Sequence, residues 1–461
     1  MTQAVNIQSE QFRVERDPLG EVRLPLNALY GAQTARALDN FQISRLRFHP
    51  LLTVAFAEIK KAAAETHLET GSPDPQIGAA IIAAADEIIA GQWRDQFSLD
   101  VFQAGAGTSL NMNVNEVIAN RALEIIGAQR GDQARIHPND HVNKSQSTND
   151  TMPTAMRTTM LRLLTPLLQT LAQLAASMQA KAAEFADVVK SGRTHLHDAT
   201  PITLGQEFSG YGENIARATD RLRACEMPLL EVPLGGTAVG TGVNTHPDYA
   251  RLVVAKLGQI TGLPLREARN RFQSMQSLGD FAALSGALRG LAIELSKIAN
   301  DLRLLSSGPH TGLDEIALPA VQPGSSIMPG KVNPSIPEML NLVCFHVIGH
   351  DTAIALCSEA GQLELNVMMP YVAYALSESL EVMTNAARTF DEKCVRGITA
   401  NRERCRTYAQ NTVGLAALLN EERGFMEAAR LAQQAMQSGR SIQELIDAEH
   451  RATQSGDTAT S

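Results

Sequence analysis

With 461 residues the chain outgrows a single hydrophobic core, so several domains, or one long helical body with appendages, are expected. A formal net charge of -9 argues against nucleic acid or an anionic membrane surface as the main partner, yet leaves room for a small anionic substrate held by one or two local cations. The five cysteines are scattered, odd in number and without a C-x-x-C pair, and no run approaches the roughly 20 apolar residues of a membrane span, so a reducing, cytoplasmic setting with no membrane partner is expected.

The chain opens irregularly, with turn signals at Pro18-Leu19-Gly20 and Pro25. Aromatic residues make up only 4% while Ala and Leu dominate long stretches, a composition that favours helices packed on helices. Apolar residues recur at three- and four-residue spacing over Met152–Asp187, Gly205–Leu230, Gly279–Leu305, Ser335–Ala360 and Tyr371–Cys394, which predicts a series of long helices. Past Asn401 the helical pieces shorten, and the small, polar stretch Ala452–Ser461 reads as a disordered tail. No repeat of a solenoid type is visible.

The segments between these helices carry the unusual chemistry. Gly105-Ala106-Gly107-Thr108-Ser109 combines hydroxyls with backbone freedom. Ser145-Gln146-Ser147-Thr148-Asn149-Asp150 reads as the N-cap of the helix that follows, and a helix N-terminus is also an anion site. Gly192-Arg193-Thr194-His195-Leu196-His197-Asp198 holds His195, a side chain suited to acid–base work near neutrality, beside the ordinary reading of a structural histidine. In an extended segment His195 and His197 would face the same way. Gly235–Gly242 is glycine-rich but lacks the spacing of a dinucleotide fingerprint or a P-loop, so it reads as a plain loop. The pairs His137/His141 and His346/His350 share the spacing of one helix face, yet neither has an H-E-x-x-H arrangement, and no metal ligand set is expected from them.

The most informative stretch is Gly324-Ser325-Ser326-Ile327-Met328-Pro329-Gly330-Lys331-Val332-Asn333-Pro334. Glycines let backbone N–H groups approach a ligand, two hydroxyls can donate to a carboxylate, Lys331 supplies charge and Asn333 a two-handed amide. An ordinary helix connection with Ser-Gly-Pro turn chemistry remains the alternative on composition alone.

This stretch resembles, residue for residue, the signature loop of the fumarase/aspartase superfamily, and Gly105–Asn113, His137–Asp150, Gly192–Glu207 and Gly235–Thr245 match that family in order and spacing. The resemblance implies a mainly α, three-domain subunit divided at 1–146, 147–402 and 403–461. Its central five-helix bundle would join those of three other subunits into a homotetramer with a twenty-helix core. Each active site would then draw on three subunits. By position, Ser325 resembles the catalytic serine that removes a proton as an oxyanion, with His195 as the second catalytic residue. Lys331 and Asn333 resemble the pair that binds the carboxylate beside the leaving group. Thr108, Ser147, Thr148, Asn149 and Thr194 resemble the rest of the substrate shell, with no metal and no cofactor.

Two branches of the family compete. Ser147-Thr148-Asn149, Pro334–Glu338, Leu304–Gly308, Glu359–Gln362 and Asn366-Val367-Met368 are similar to aspartases; Thr194-His195-Leu196, Ala199-Thr200-Pro201 and Asn244–Pro247 are similar to class II fumarases. The implied reaction is reversible deamination of L-aspartate to fumarate and ammonia, by anti elimination through an aci-carboxylate, with fumarate hydration to L-malate as the alternative. Met369, His197 and Asn420–Phe425 depart from the family pattern, and the C-terminal domain reads as shortened. A silent structural relative, as in eye lenses, is the reading from a different class; intact Ser325, Lys331, Asn333 and His195 argue against it.

Overall fold

The computed structural model describes residues 12–72 and 74–456. The chain packs into two compact units, one built from the chain up to Leu167, Arg221–Arg289 and His346–Val382, the other from Leu168–Asp220, Gly290–Phe345 and the chain from Met383 onward. Five long helices, Thr148–Glu184, Leu204–Arg223, Gly279–Leu305, Ser335–Glu359 and Met369–Lys393, each contribute residues to both units. These are the five predicted runs, with one difference. The second ends at Arg223 and is followed by the short helix Glu226–Leu229, because Pro228 cannot donate to a continuing helix.

The longest helix shows why periodicity was a good guide. Met156, Met160, Leu164, Leu167, Leu171, Leu174 and Met178 recur every three or four residues and are all fully buried. In the first unit the helix Pro50–Glu69 packs against Pro75–Ile89 and Tyr249–Thr261. Proline opens both Pro50–Glu69 and Pro75–Ile89, where its missing N–H costs nothing, and His49 and Asp74 cap them. Nearby, the guanidinium of Arg157 is buried, donating to the carbonyl of Pro228 at 2.8 Å and to Asp280 at 2.7 Å.

In the second unit an antiparallel hairpin, Val189–Thr194 with His197–Thr203, packs on the helix Arg402–Asn411 and the turn Val413–Leu419. The C-terminal segment builds a small core of its own from Ala416, Ala428, Leu431, Ala435, Ile442, Leu445 and Ile446. The tail expected from Ala452 is helical as far as Gly456, since Ile442–Gly456 lays an apolar stripe on that core; residues 457–461 lie outside the described part.

Among the described residues one helix, Ser335–Glu359, is long and apolar enough to cross a membrane, with a mean hydropathy of 1.4 and a third of that window buried. Asn341, His346, His350 and Asp351 interrupt it, which is why no unbroken apolar run stands out in the sequence.

Candidate active site

In the first unit the expected site residues sit at two helix N-termini. Thr108 opens the helix Thr108–Ile125 after Ala106 and Gly107, both with positive φ (58° and 83°). The Ala106 N–H donates to the Val367 carbonyl at 2.9 Å. A Cβ at Gly105 would lie 2.9 Å from the Val367 side chain, and one at Gly107 would lie 2.8 Å from Met152 Sδ. Gly107 therefore allows the Thr108 turn to lie against Met152 in the first turns of Thr148–Glu184, and Gly105 allows it to approach Val367.

That helix begins with a reciprocal cap. Ser147 Oγ accepts from the Asn149 N–H at 3.2 Å, and Asp150 Oδ1 accepts from the Ser147 N–H at 2.9 Å. Capping and anion binding are compatible here, since Thr148 and Asn149 stand at the positive end of the helix. The other oxygen of Asp150 accepts from the N–H groups of Gly235 (3.1 Å) and Thr237 (2.9 Å), and Asn149 Nδ2 donates to the Ala238 carbonyl at 2.8 Å. The glycine-rich segment that reads as a plain loop is thus tied to the helix start. Burial raises the Asp150 pKa to about 6, against the pull of its three N–H donors.

A buried cation lies beneath. Lys60 Nζ donates to Asn111 Oδ1, Asn143 Oδ1 and Gln146 Oε1 at 2.8, 2.8 and 2.9 Å, and Asn111 Nδ2 donates to Thr148 Oγ1 at 3.0 Å. Burial lowers its pKa to about 7, opposed by the charge of Asp150. An unfolded lysine holds its proton to about pH 10.4. Between these two values the unfolded chain binds more protons than the native one, so the contribution of Lys60 to stability rises with pH across that window. Thermal unfolding followed from about pH 7 to 10 should show this rise in the wild type and a flatter profile in Lys60→Met. Parallel profiles would contradict it.

In the second unit His195 and Leu196 form the tip of the hairpin, with φ of 57° and 60°, the left-handed pair that a two-residue hairpin turn demands. The expected extended alternation of His195 and His197 is therefore wrong: His197 is the residue paired with Thr194 across the turn. Thr194 and His195 are exposed. A buried ion cluster holds the base of the hairpin, with Lys190 Nζ 3.0 Å from Glu207 and 3.3 Å from Glu315, and Arg193 Nη1 2.9 Å from Glu315.

The loop Gly324–Pro334 closes on itself. The Gly324 N–H donates to the Lys331 carbonyl at 3.0 Å, and Asn333 Nδ2 donates to the Gly324 carbonyl. Inside the loop Ser325 Oγ accepts two backbone N–H groups, from Ile327 at 3.2 Å and Met328 at 2.9 Å. Lys331 is exposed, and so are Ile327 (85%), Met328 and Val332. Nothing in the described residues hydrogen-bonds this loop to the hairpin tip. A Cβ at Gly324 would stand 2.4 Å from the Lys331 carbonyl oxygen and 2.6 Å from the Asn333 nitrogen. Gly324→Ala should therefore displace the loop and lower kcat/KM about 100-fold with little change in melting temperature, checked by steady-state kinetics and calorimetry.

A serine whose oxygen is pre-loaded with N–H donors, two helix N-termini and an exposed lysine are parts suited to handling a carboxylate and a developing negative charge. The sequence profile of a lyase family matches residues 20–349. The chain belongs to this lyase family. It is 49% identical over 433 residues to an aspartate ammonia-lyase of Bacillus sp, covering 94% of this chain and 92% of that one. It is also 47% identical over 433 residues to a class II fumarate hydratase of Thermosynechococcus vestitus, covering 94% and 93%. Among solved structures, fumarate lyase:delta crystallin from Brucella melitensis bound to cobalt superimposes with a TM-score of 0.92 at 48% identity, covering 95% of this chain and 96% of that one. The lyase is thus a mainly helical member of the fumarase/aspartase superfamily.

Several residues that hold the candidate site segments in place are not among those singled out from the sequence. Lys60 occupies the same helical face as Phe56 and Ala63, and a lysine at a core position is a signal that could have been read. The two-sided grip of Asp150 has no signal, because Gly235 and Thr237 lie far along the chain. An open cleft of about 870 Å³ in the first unit, lined by Glu231, Arg266, Arg269 and Asp280 among others, contains none of the expected site residues. The pair His346/His350, not expected to bind metal, is joined in space by Glu378.

Proposed function

We propose that this lyase catalyses the reversible deamination of L-aspartate to fumarate and ammonia, with Ser325 as the base. The observation that carries the reading is the pair of N–H groups aimed at Ser325 Oγ, because a hydroxyl becomes a useful base only where its anion is stabilised. In the reaction the Ser325 oxyanion takes a proton from the carbon next to the distal carboxylate. The electron pair moves into that carboxylate to give a doubly charged aci-carboxylate, and its collapse expels ammonia from the neighbouring carbon on the opposite face. Lys331 and Asn333 hold the carboxylate beside the leaving group, and the helix starts at Thr108 and Ser147-Thr148-Asn149 hold the distal carboxylate on which the charge builds. Thr194 and His195 complete the shell, His195 as the acid–base group. Hydration of fumarate to L-malate is the second reading, favoured by Thr194-His195-Leu196 and the likeness to a fumarate hydratase.

The site residues divide between the two units, Thr108 and Ser147–Asn149 in one, Thr194, His195, Ser325, Lys331 and Asn333 in the other. We read the working enzyme as a cytoplasmic homotetramer whose sites are completed by three subunits, each of three domains, 1–146, 147–402 and 403–461. Exposed Leu342 (69%), Phe345 (59%) and Leu356 on the helix Ser335–Glu359 support a covered apolar face, the separate C-terminal core supports the third domain, and five free cysteines support a reducing compartment. Purified enzyme should raise the ultraviolet absorbance of fumarate when given L-aspartate and leave L-malate unchanged. A rise with L-malate alone would make the hydratase reading the correct one.

A further inference from the structure

Away from the site residues, three side chains from two helices converge. His346 and His350 are four residues apart on Ser335–Glu359, with ring centroids 4.1 Å apart. Glu378, on Met369–Lys393, places one oxygen 3.3 Å from His346 Nε2 and 3.7 Å from His350 Nε2, and the three donor atoms all lie within 4.8 Å of one another. A tetrahedral divalent ion with ligands at about 2.0–2.2 Å needs donor atoms about 3.4 Å apart. The spacing of this triad is already close to that.

The orientation of His350 strengthens the case. Its Nδ1 faces the Ala375 carbonyl at 3.2 Å and Ser379 Oγ at 3.1 Å. A carbonyl can only accept, so Nδ1 carries the proton, and in the neutral ring Nε2 keeps its lone pair, turned toward Glu378. This is the arrangement by which an outer hydrogen bond fixes the tautomer of a metal-binding histidine. His350 is mostly buried and packed against Tyr371 and Tyr374, which limits its rotation, while His346 is half-exposed in the single chain.

We propose that His346, His350 and Glu378 form a binding site for a divalent transition ion of the zinc type, which clips Ser335–Glu359 to Met369–Lys393. Two imidazoles and one carboxylate suit zinc, nickel or copper over magnesium or calcium, which take oxygen ligands. The site has no part in the elimination chemistry, and it stands or falls independently of the aspartate assignment.

The test uses the full-length enzyme, stripped with a chelator, dialysed, and titrated with Zn²⁺ by calorimetry, with metal content measured after gel filtration. One Zn²⁺ retained per chain, together with a higher melting temperature in Zn²⁺ but not in Mg²⁺, is the expected result. His350→Gln and Glu378→Gln should each weaken binding by about 10-fold or more. His246→Gln removes a histidine that meets only Asp248 on the surface, and it should bind Zn²⁺ as the wild type does. No retained Zn²⁺, or equal losses in all three variants, would overturn the proposal and leave the triad a simple histidine–glutamate contact.

Discussion

Ser325→Ala should lower kcat by about 1,000-fold or more while leaving the fold and the state of assembly unchanged, because it deletes the proton acceptor and little else. Ser325 is half-buried in a loop that exposes most of its side chains, so water can satisfy the Ile327 and Met328 N–H groups once the hydroxyl is gone. The change in stability should stay within about 0.5 kcal/mol. The neighbouring hydroxyl provides the control. Ser326 is exposed and, among the described residues, no hydrogen bond to its Oγ is seen, so Ser326→Ala should keep most of the activity. Steady-state kinetics and size-exclusion chromatography on the two variants decide the matter. Activity retained in Ser325→Ala and lost in Ser326→Ala would move the base to the adjacent residue.

Asp150→Ala should be the most damaging change outside the reacting groups. The carboxylate is fully buried and accepts from the N–H groups of Ser147, Gly235 and Thr237, so its removal leaves three donors without a partner and takes a charge away from Lys60. Even one or two such donors left unpaired cost about 3 kcal/mol. The loss also frees the Gly235–Ala238 segment and the Ser147 cap, so Thr148 and Asn149 drift from their positions. A displacement of this kind lowers kcat/KM by about 100-fold. Denaturant unfolding and kinetics together distinguish two roles. A variant that is less stable but kinetically normal would make Asp150 a purely structural cap.

Much of the fold was legible because the long helices carry their periodicity openly. The Met156-to-Met178 stripe announces one, and Pro228 marks where another must stop. The segment Gly324–Pro334 stood out in the sequence because few structural roles need serine, lysine, asparagine and glycine together. What the sequence concealed are contacts between segments distant along the chain. Asp150 reads as a cap, and its second grip on Gly235 and Thr237 follows only from folding. His195 and His197 look like an alternating pair until the left-handed turn at His195-Leu196 puts them on opposite sides of a hairpin. Glu378, which completes the histidine triad, sits one helix away from the residues it meets.

The account rests on anti addition and elimination of ammonia across a four-carbon dicarboxylate. The most direct test incubates the purified enzyme with fumarate and ammonium in deuterium oxide and reads the product by proton NMR. L-aspartate carrying a single deuterium at one stereochemically defined position of its methylene carbon is the predicted result. Malate as the only product, or deuterium scattered over both methylene positions, would contradict it.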